Sequence, residues 1–153
     1  MPPAYVPDIT ISLLRMPAEN TLPMVQFVCP PALEGKLARY TSITISVPAA
    51  LRSWKKSLHS YEWIKPDGNI KSLEELSIPE QAKRRAVEDL IRAGGPIAQP
   101  VLGIGVMDNI EIGMGRAEFL TLAAHGLRHI PVYIPCSNES DFKAFRADVK
   151  SGA

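Results

Sequence analysis

The chain has 153 residues, 46% of them hydrophobic, which is enough for one domain of ordinary size with a real core. Its formal net charge of +1 provides no strong global field toward nucleic acid or membranes, so any DNA contact must come from a local patch. No stretch approaches the roughly 18 apolar residues of a membrane span and no signal-peptide pattern opens the chain, so we expect no membrane insertion and a cytoplasmic location.

Frequent prolines interrupt the first third of the chain, which predicts a strand-rich part with short elements over residues 1–70. Strands are predicted at residues 9–14, 24–28 and, most clearly from its alternating β-branched pattern, 41–47. A helix rich in lysine and tryptophan is expected to follow Pro48 through about His59.

A second helix is predicted over residues 79–92. Ser77 and Glu80 have the spacing of a capping box, and the glycines at 94 and 95 are expected to end the helix. An apolar stripe at helical spacing predicts its buried face, formed by Ile78, Ala82, Ala86, Leu90 and Ile91.

The second half of the chain has a legible order of elements. We predict a strand at 100–106, a tight turn at Asp108 and Asn109, a strand at 110–112, a mostly apolar helix at 115–125 and a strand at 130–134. A C-terminal helix is expected over 138–150, with Phe142, Phe145 and Val149 facing inward. This order predicts a single α+β domain, 1–153, with its core elements between residues 77 and 135.

A glycine turn with one arginine separates the strand at 110–112 from the helix that follows it. The turn consists of Gly113, Met114, Gly115 and Arg116. A helix N-terminus has unsatisfied N–H groups and a partial positive charge, glycine lets an anion approach the backbone, and arginine can bind two phosphate oxygens at once. The turn therefore predicts an anion site; the alternative is a surface arginine beside a turn that merely connects two elements.

In order and in motifs, residues 77–135 resemble the ParB/sulfiredoxin superfamily. The family segment G-I-x-x-P-V-x-V corresponds to GPIAQPVL at 95–102, and Y-x-I-x-x-G-x-x-R corresponds to IEIGMGR at 110–116. A later I-P-V-x-V corresponds to IPVYI at 130–134. The resemblance implies a ParB/sulfiredoxin-like mixed sheet packed by helices.

The family loop differs here at two positions. It reads G-E-R-R in partition proteins and G-C-H-R in sulfiredoxins, whereas this chain has Met114 and Gly115 at the middle positions. Without a thiolate in the loop, reduction of a sulfinic acid is not expected. Gly113 and Arg116 remain as the phosphate-binding part. In a rival register Gly115 takes the place of the family glycine and Glu118 falls where the arginine would be.

The resemblance also implies a function. Within the superfamily, the chain is similar in size to small plasmid fertility-inhibition proteins of the Osa type, which lack a centromere-binding helix-turn-helix domain. The resemblance implies binding and hydrolysis of ATP, Mg²⁺-dependent cleavage of DNA, and a block of DNA transfer through a conjugative type IV secretion system. Nucleotide, DNA and a secretion or substrate protein would be the partners, with Gln99 near the phosphate. Met114 favours an alternative, a non-catalytic inhibitor that binds a protein.

Carboxylates and histidines near the turn are further candidates for catalysis. Glu111 and Glu118 could hold a divalent metal or act beside Arg116. The structural alternatives are a solvent-facing strand residue for Glu111 and a helix-dipole partner for Glu118. His125 is a candidate general base; the alternative, more common for a histidine near a helix C-terminus, is a dipole partner.

Two basic clusters could contact nucleic acid. One, on the helix at 79–92, consists of Lys83, Arg84 and Arg85. Its alternative is an ordinary solvated helix face. The other places lysines 55 and 56 beside Trp54, where base stacking competes with core packing as the role of the tryptophan.

Overall fold

The computed structural model describes residues 25–147, and within that range the predicted α+β class is confirmed. The strands are β1 (Phe27–Val28), β2 (Tyr40–Ser46), β3 (Ile97–Ala98), β4 (Val101–Ile104), β5 (Ile110–Met114) and β6 (His129–Pro135). The helices are α1 (Val47–Trp54), α2 (Ile78–Arg92) and α3 (Arg116–Ala124). A longer 3-10 segment covers Cys136–Phe145. The strand predicted at 9–14 lies outside the described residues.

The central sheet has four strands in the order β2-β6-β4-β5. Strand β6 pairs antiparallel with β2 and parallel with β4, and β4 and β5 form an antiparallel hairpin. The hairpin turn contains Asp108 with a φ of 59°, as the sequence predicts for a tight turn. A small parallel pair, β1 with β3, lies apart from this sheet.

One hydrophobic core joins these elements. Isoleucines 43 and 45 of β2 alternate with more exposed residues, so only one face of the strand is buried. Trp54 at the end of α1 and Trp63 after it are fully buried. Core packing is therefore the role of both tryptophans, and neither offers a surface on which bases could stack.

The buried face of α2 differs from the predicted stripe. Of the predicted stripe only Ile91 is buried. Ile78 is 75% exposed, Leu90 is 42% exposed and both alanines are exposed, whereas Glu80 and Glu88 are buried. The prediction was wrong because periodicity counts only apolar residues, and here two carboxylates with hydrogen-bonding partners occupy the inner face. The expected cap is also absent: Ser77 makes no side-chain cap bond, and a capping box forms instead in the preceding turn, 72–75.

Several predicted boundaries shift in the structure, and β4 covers only Val101–Ile104 of the predicted 100–106. Helix α1 ends at Trp54 and not near His59, and β5 continues through Met114. The C-terminal helix predicted at 138–150 is a 3-10 segment that ends at Phe145, and residues 148–150 lie outside the described range. Phe142 is nevertheless fully buried, as its position in the pattern predicted.

The outer edge of β2 is covered by the segment that follows the 3-10 turn. Arg146 forms an antiparallel bridge with Ile45, and the Ala147 N–H donates to the Thr44 carbonyl at 2.8 Å. This contact satisfies part of a strand edge that would otherwise be open for pairing. No helix between residues 25 and 147 is long and apolar enough to cross a bilayer.

Candidate phosphate-binding site

A cleft of about 490 Å³ lies between α2 and the junction of β5 with α3. Residues 112–118 form one side of it, and Glu80, Lys83 and Val87 of α2 contribute the other. The structure thus places all four residues of the glycine turn in one cleft, together with Glu118 and Lys83. This volume lies within the range of small-molecule sites.

The turn into α3 requires glycine at position 115. Gly115 has a φ of +79°, and a Cβ there would come within 3.0 Å of the Pro100 Cα. The Phe119 N–H donates to the Gly115 carbonyl at 2.8 Å, so helical hydrogen bonding begins there. The N–H groups of residues 116–118 consequently have no acceptor within the helix, and all three residues line the cleft.

Arg116 is fixed at this helix start by two neighbours. Its Nη1 donates to Glu62 Oε1 at 3.1 Å, and its Cζ lies 5.9 Å from the centroid of the Trp54 ring. Its Nε is buried with no hydrogen-bond partner in the described part of the chain. The guanidinium is therefore preoriented, with one nitrogen already engaged by a carboxylate.

Glu80 is a buried carboxylate on the α2 side of the cleft, where it connects Trp63 with Lys83. Its carboxylate accepts hydrogen bonds from Trp63 Nε1 at 2.9 Å and Lys83 Nζ at 3.1 Å. Burial alone would raise the pKa of Glu80; the two hydrogen bonds, with the charges of Lys83 and Arg116, outweigh it and hold the pKa below its usual range. Glu80 is therefore an ionised group whose oxygens are already bonded.

The charged side chains that line the cleft balance one another. Lys83 and Arg116 are positive, and Glu80 and Glu118 are negative. Attraction for an anion must therefore come from the free N–H groups and the dipole at the start of α3, with Arg116 at short range. Among residues 25–147, Glu118 has no hydrogen-bond or ion-pair partner.

Two predicted site residues are engaged outside this cleft. Glu111 accepts from Ser57 Oγ at 2.7 Å and from Asn109 Nδ2 at 3.0 Å, which joins the β4–β5 hairpin to the segment after α1. Gln99 is buried and donates from Nε2 to Ser42 Oγ at 2.8 Å. Neither side chain lines the cleft.

The basic cluster on α2 is divided by the fold. Lys83 is largely exposed at the rim of the cleft, and Arg85 is exposed elsewhere on the helix. Arg84 is mostly buried, and its Nε donates to Glu88 Oε2 at 2.9 Å. These three residues therefore present no continuous basic surface to a nucleic-acid backbone.

Glu88 also joins α2 to α3. His125 Nε2 lies 2.7 Å from the same Glu88 oxygen that Arg84 contacts. Burial would raise the pKa of Glu88, but the hydrogen bonds from His125 and Arg84 outweigh it, so the pKa lies below the usual value. The candidate general base His125 is thus a partner in this buried network and does not line the cleft.

This network predicts a loss of stability in acid. The pKa of Glu88 is lower in the folded protein than in the unfolded chain, where a glutamate titrates at about 4.3. Its contribution to the free energy of unfolding is therefore complete above the unfolded pKa and is lost as the pH falls through the folded pKa. We expect the free energy of unfolding to decline below about pH 4.5 in urea titrations, and to decline less steeply in Glu88→Gln. Equal acid slopes in the two proteins would contradict the assignment.

The described residues offer no complete protein cage for a metal. No three histidine, cysteine, aspartate or glutamate side chains between residues 25 and 147 are grouped to hold an ion. Mg²⁺ is commonly bound by one or two carboxylates together with the phosphates of a substrate. Within the described residues, Glu118 is the cleft carboxylate that has no hydrogen-bond or ion-pair partner.

Two lining residues of the cleft, Arg116 and Glu80, are held by partners that the sequence does not indicate. Glu62 and Trp63 lie far from the turn in the chain, and no motif links them to it. Comparisons of the chain with family models, curated proteins and solved structures find no match. The geometry of the cleft and the sequence motifs therefore carry the functional argument.

Proposed function

We propose that the cleft between α2 and α3 binds the phosphate groups of a nucleotide such as ATP. One observation carries this proposal: a glycine turn opens the N-terminus of α3 into a cleft of about 490 Å³, with Arg116 at the helix start. Free N–H groups, the helix dipole and a guanidinium together make an anion site. The ParB/sulfiredoxin resemblance of the same turn supports the choice of ligand.

In this proposal the backbone supplies most of the contacts. Phosphate oxygens accept from the N–H groups of residues 116–118, and Gly113 presents no side chain to hinder their approach. Glu62 occupies one nitrogen of Arg116 and the Nε is buried, so the contacts to the ligand would come from the remaining terminal N–H donors of the guanidinium. Lys83 at the rim can neutralise a further phosphate charge.

Hydrolysis of the terminal phosphoanhydride of ATP, with water as the nucleophile, is the reaction that the resemblance adds to binding. Glu118 is the cleft carboxylate without a partner among the described residues, and we propose it as the group that accepts a proton from an attacking water. Arg116 would stabilise the charge that develops on the phosphate. Mg²⁺ bound with the nucleotide would supply charge neutralisation. A DNA phosphodiester presents the same groups, and a block of conjugative transfer rests on the resemblance alone.

A non-catalytic inhibitor is the second candidate function, and exposed apolar residues favour it. Val106 at the β4–β5 turn is fully exposed, and Met107 beside it and Leu58 after α1 are largely exposed. Exposed apolar side chains of this kind are available for contact with a protein. Met114 in place of the family's reactive residue supports the same alternative.

Calorimetric titration separates these functions. ATP and inorganic pyrophosphate are titrated into the wild-type protein with and without Mg²⁺, and turnover of ATP and plasmid DNA is measured on the same preparation. Saturable binding of both anions supports the phosphate site, and Mg²⁺-dependent turnover supports hydrolysis. Binding without turnover would reject the hydrolytic step, and no binding at millimolar ligand would reject the site and favour the inhibitor.

Replacing Glu62 by glutamine is expected to strengthen ATP binding about fivefold. Removal of this charge leaves Arg116 with its full positive field toward the ligand, because Glu62 is the carboxylate that now contacts it. Calorimetry on Glu62→Gln measures the change, and Glu74→Gln, an exposed glutamate outside the cleft, is the matched control. Weaker binding in Glu62→Gln would instead show that Glu62 serves mainly to orient Arg116.

A further inference from the structure

A second cleft, of about 610 Å³, lies between α1 and the connection from α3 to β6. It shares no lining residue with the candidate phosphate site. Its two walls come from different parts of the chain, since α1 follows β2 and the opposite wall, at 126–128, precedes β6. The N–H of Val47 donates to the Arg128 carbonyl at 2.9 Å and joins the two walls at the base of α1.

The lining of this second cleft carries excess positive charge. Arg52, Lys55 and Arg128 contribute three cations, and Asp67 contributes the one carboxylate. Arg52 and Arg128 are exposed, and neither side chain has a hydrogen-bond or ion-pair partner in the described part of the chain. Lys55 is partly engaged, because its Nζ donates to the Pro66 carbonyl at 2.8 Å. Two guanidinium groups on facing walls are therefore free to bind an anion.

The remaining lining is largely apolar. Pro48 and Leu51 lie one helical turn apart on α1, and Leu127 contributes apolar surface from the opposite wall. Arg52 and Lys55 are likewise three residues apart, so α1 presents apolar and cationic groups along the same cleft. A ligand that satisfies both kinds of surface needs an apolar body and an acidic group.

We propose that this second cleft binds a small organic acid, with one carboxylate on an apolar body. The planar fork of arginine matches a carboxylate, and Arg52 and Arg128 approach from the two walls. The volume lies in the range of small-molecule sites, and the apolar walls would cover the hydrocarbon part. The proposal does not depend on nucleotide binding at α3.

Octanoate tests the proposal because it joins a carboxylate to an apolar chain. Calorimetry and amide chemical shifts are followed on the full chain with octanoate, with acetate, which lacks the body, and with 1-octanol, which lacks the charge. We expect saturable binding of octanoate alone, with the largest shifts at Leu51, Gly126 and Arg128. An acidic peptide is titrated in parallel as the competing kind of ligand.

Variants of the two free arginines locate the binding. Arg52→Gln/Arg128→Gln is expected to lower octanoate affinity at least tenfold, because each lost charge-assisted hydrogen bond is worth about tenfold or more. Arg92→Gln, which removes an exposed arginine outside both clefts, should not change it, and the single variants should fall between. ATP binding should be unaffected in the double variant, so failure at one cleft is distinguishable from failure at the other.

Three results would overturn the proposal. The first is equal octanoate affinity in the wild type and in a double variant that melts at the wild-type temperature. The second is binding of 1-octanol as strong as that of octanoate, which would show a purely apolar site. The third is binding of the acidic peptide without binding of octanoate, which would make the cleft a contact surface for a protein.

Discussion

Replacing Arg116 by glutamine is expected to weaken ATP binding about thirtyfold while the protein remains folded. The substitution removes the charge and the two-pronged donor at the start of α3, and each charge-assisted hydrogen bond is worth about 1.5–3 kcal/mol. Because the Arg116 side chain is one-third exposed, its contacts with Glu62 and Trp54 contribute little to the free energy of unfolding, and their loss should leave the protein folded. Calorimetry gives the affinity, and thermal melting checks the fold.

Two matched variants make this result specific. Arg92→Gln removes an arginine that lines neither cleft and should bind ATP as the wild type does. Arg116→Lys keeps the charge without the planar fork, and we expect intermediate affinity. Wild-type affinity in a well-folded Arg116→Gln protein would place the phosphate elsewhere and remove the main support for the proposed function.

Replacing Glu88 by alanine should lower the free energy of unfolding by about 3 kcal/mol. The substitution leaves Arg84 and His125 without the carboxylate that both contact, and these side chains are only 13% and 11% exposed. A charge left unpartnered at low exposure costs more than the pair contributes, and the contact between α2 and α3 is lost with it. Urea unfolding followed by tryptophan fluorescence measures the change.

Glu74→Ala is the control, because Glu74 is exposed and bonds to neither helix. We expect it to stay within about 0.5 kcal/mol of the wild type. Glu88→Gln, which keeps a hydrogen-bond acceptor, should fall between wild type and Glu88→Ala. A change below 1 kcal/mol in Glu88→Ala would mean that solvent replaces the lost contacts and that the network does not hold the two helices together.

The elements that the sequence predicts well are those whose pattern is local. Alternation marks β2, the Asp108 turn marks the β4–β5 hairpin, and Gly115 and Gly126, both with positive φ, bound α3. The local pattern does not predict which residues form the buried face of α2. Its buried carboxylates depend on Trp63 and His125, which belong to other elements and enter no helical periodicity.

In the candidate site, too, the features set by neighbouring residues are predictable and those set by distant residues are not. The turn at 113–116 is contiguous in sequence, so its shared position in one cleft could be anticipated from the strand and helix on either side. The pairing of Arg116 with Glu62 could not, since it depends on how the segment after α1 packs on the sheet. Proximity to the turn makes Glu111 a candidate in the sequence, whereas in the structure its carboxylate contacts Ser57, which is far away in the chain.

The pairing of β2 with β6 has a consequence for the time course of folding. Ser46 at the end of β2 pairs with His129 at the start of β6, so most of the described chain must be made before this ladder can close. Strand β4 also waits for β6, its parallel neighbour. Contacts between such distant residues require the closure of a long loop, which costs entropy before the contacts stabilise the fold, and this lowers the folding rate. On the ribosome, the first long strand of the sheet therefore stays without its partner until the last strand emerges.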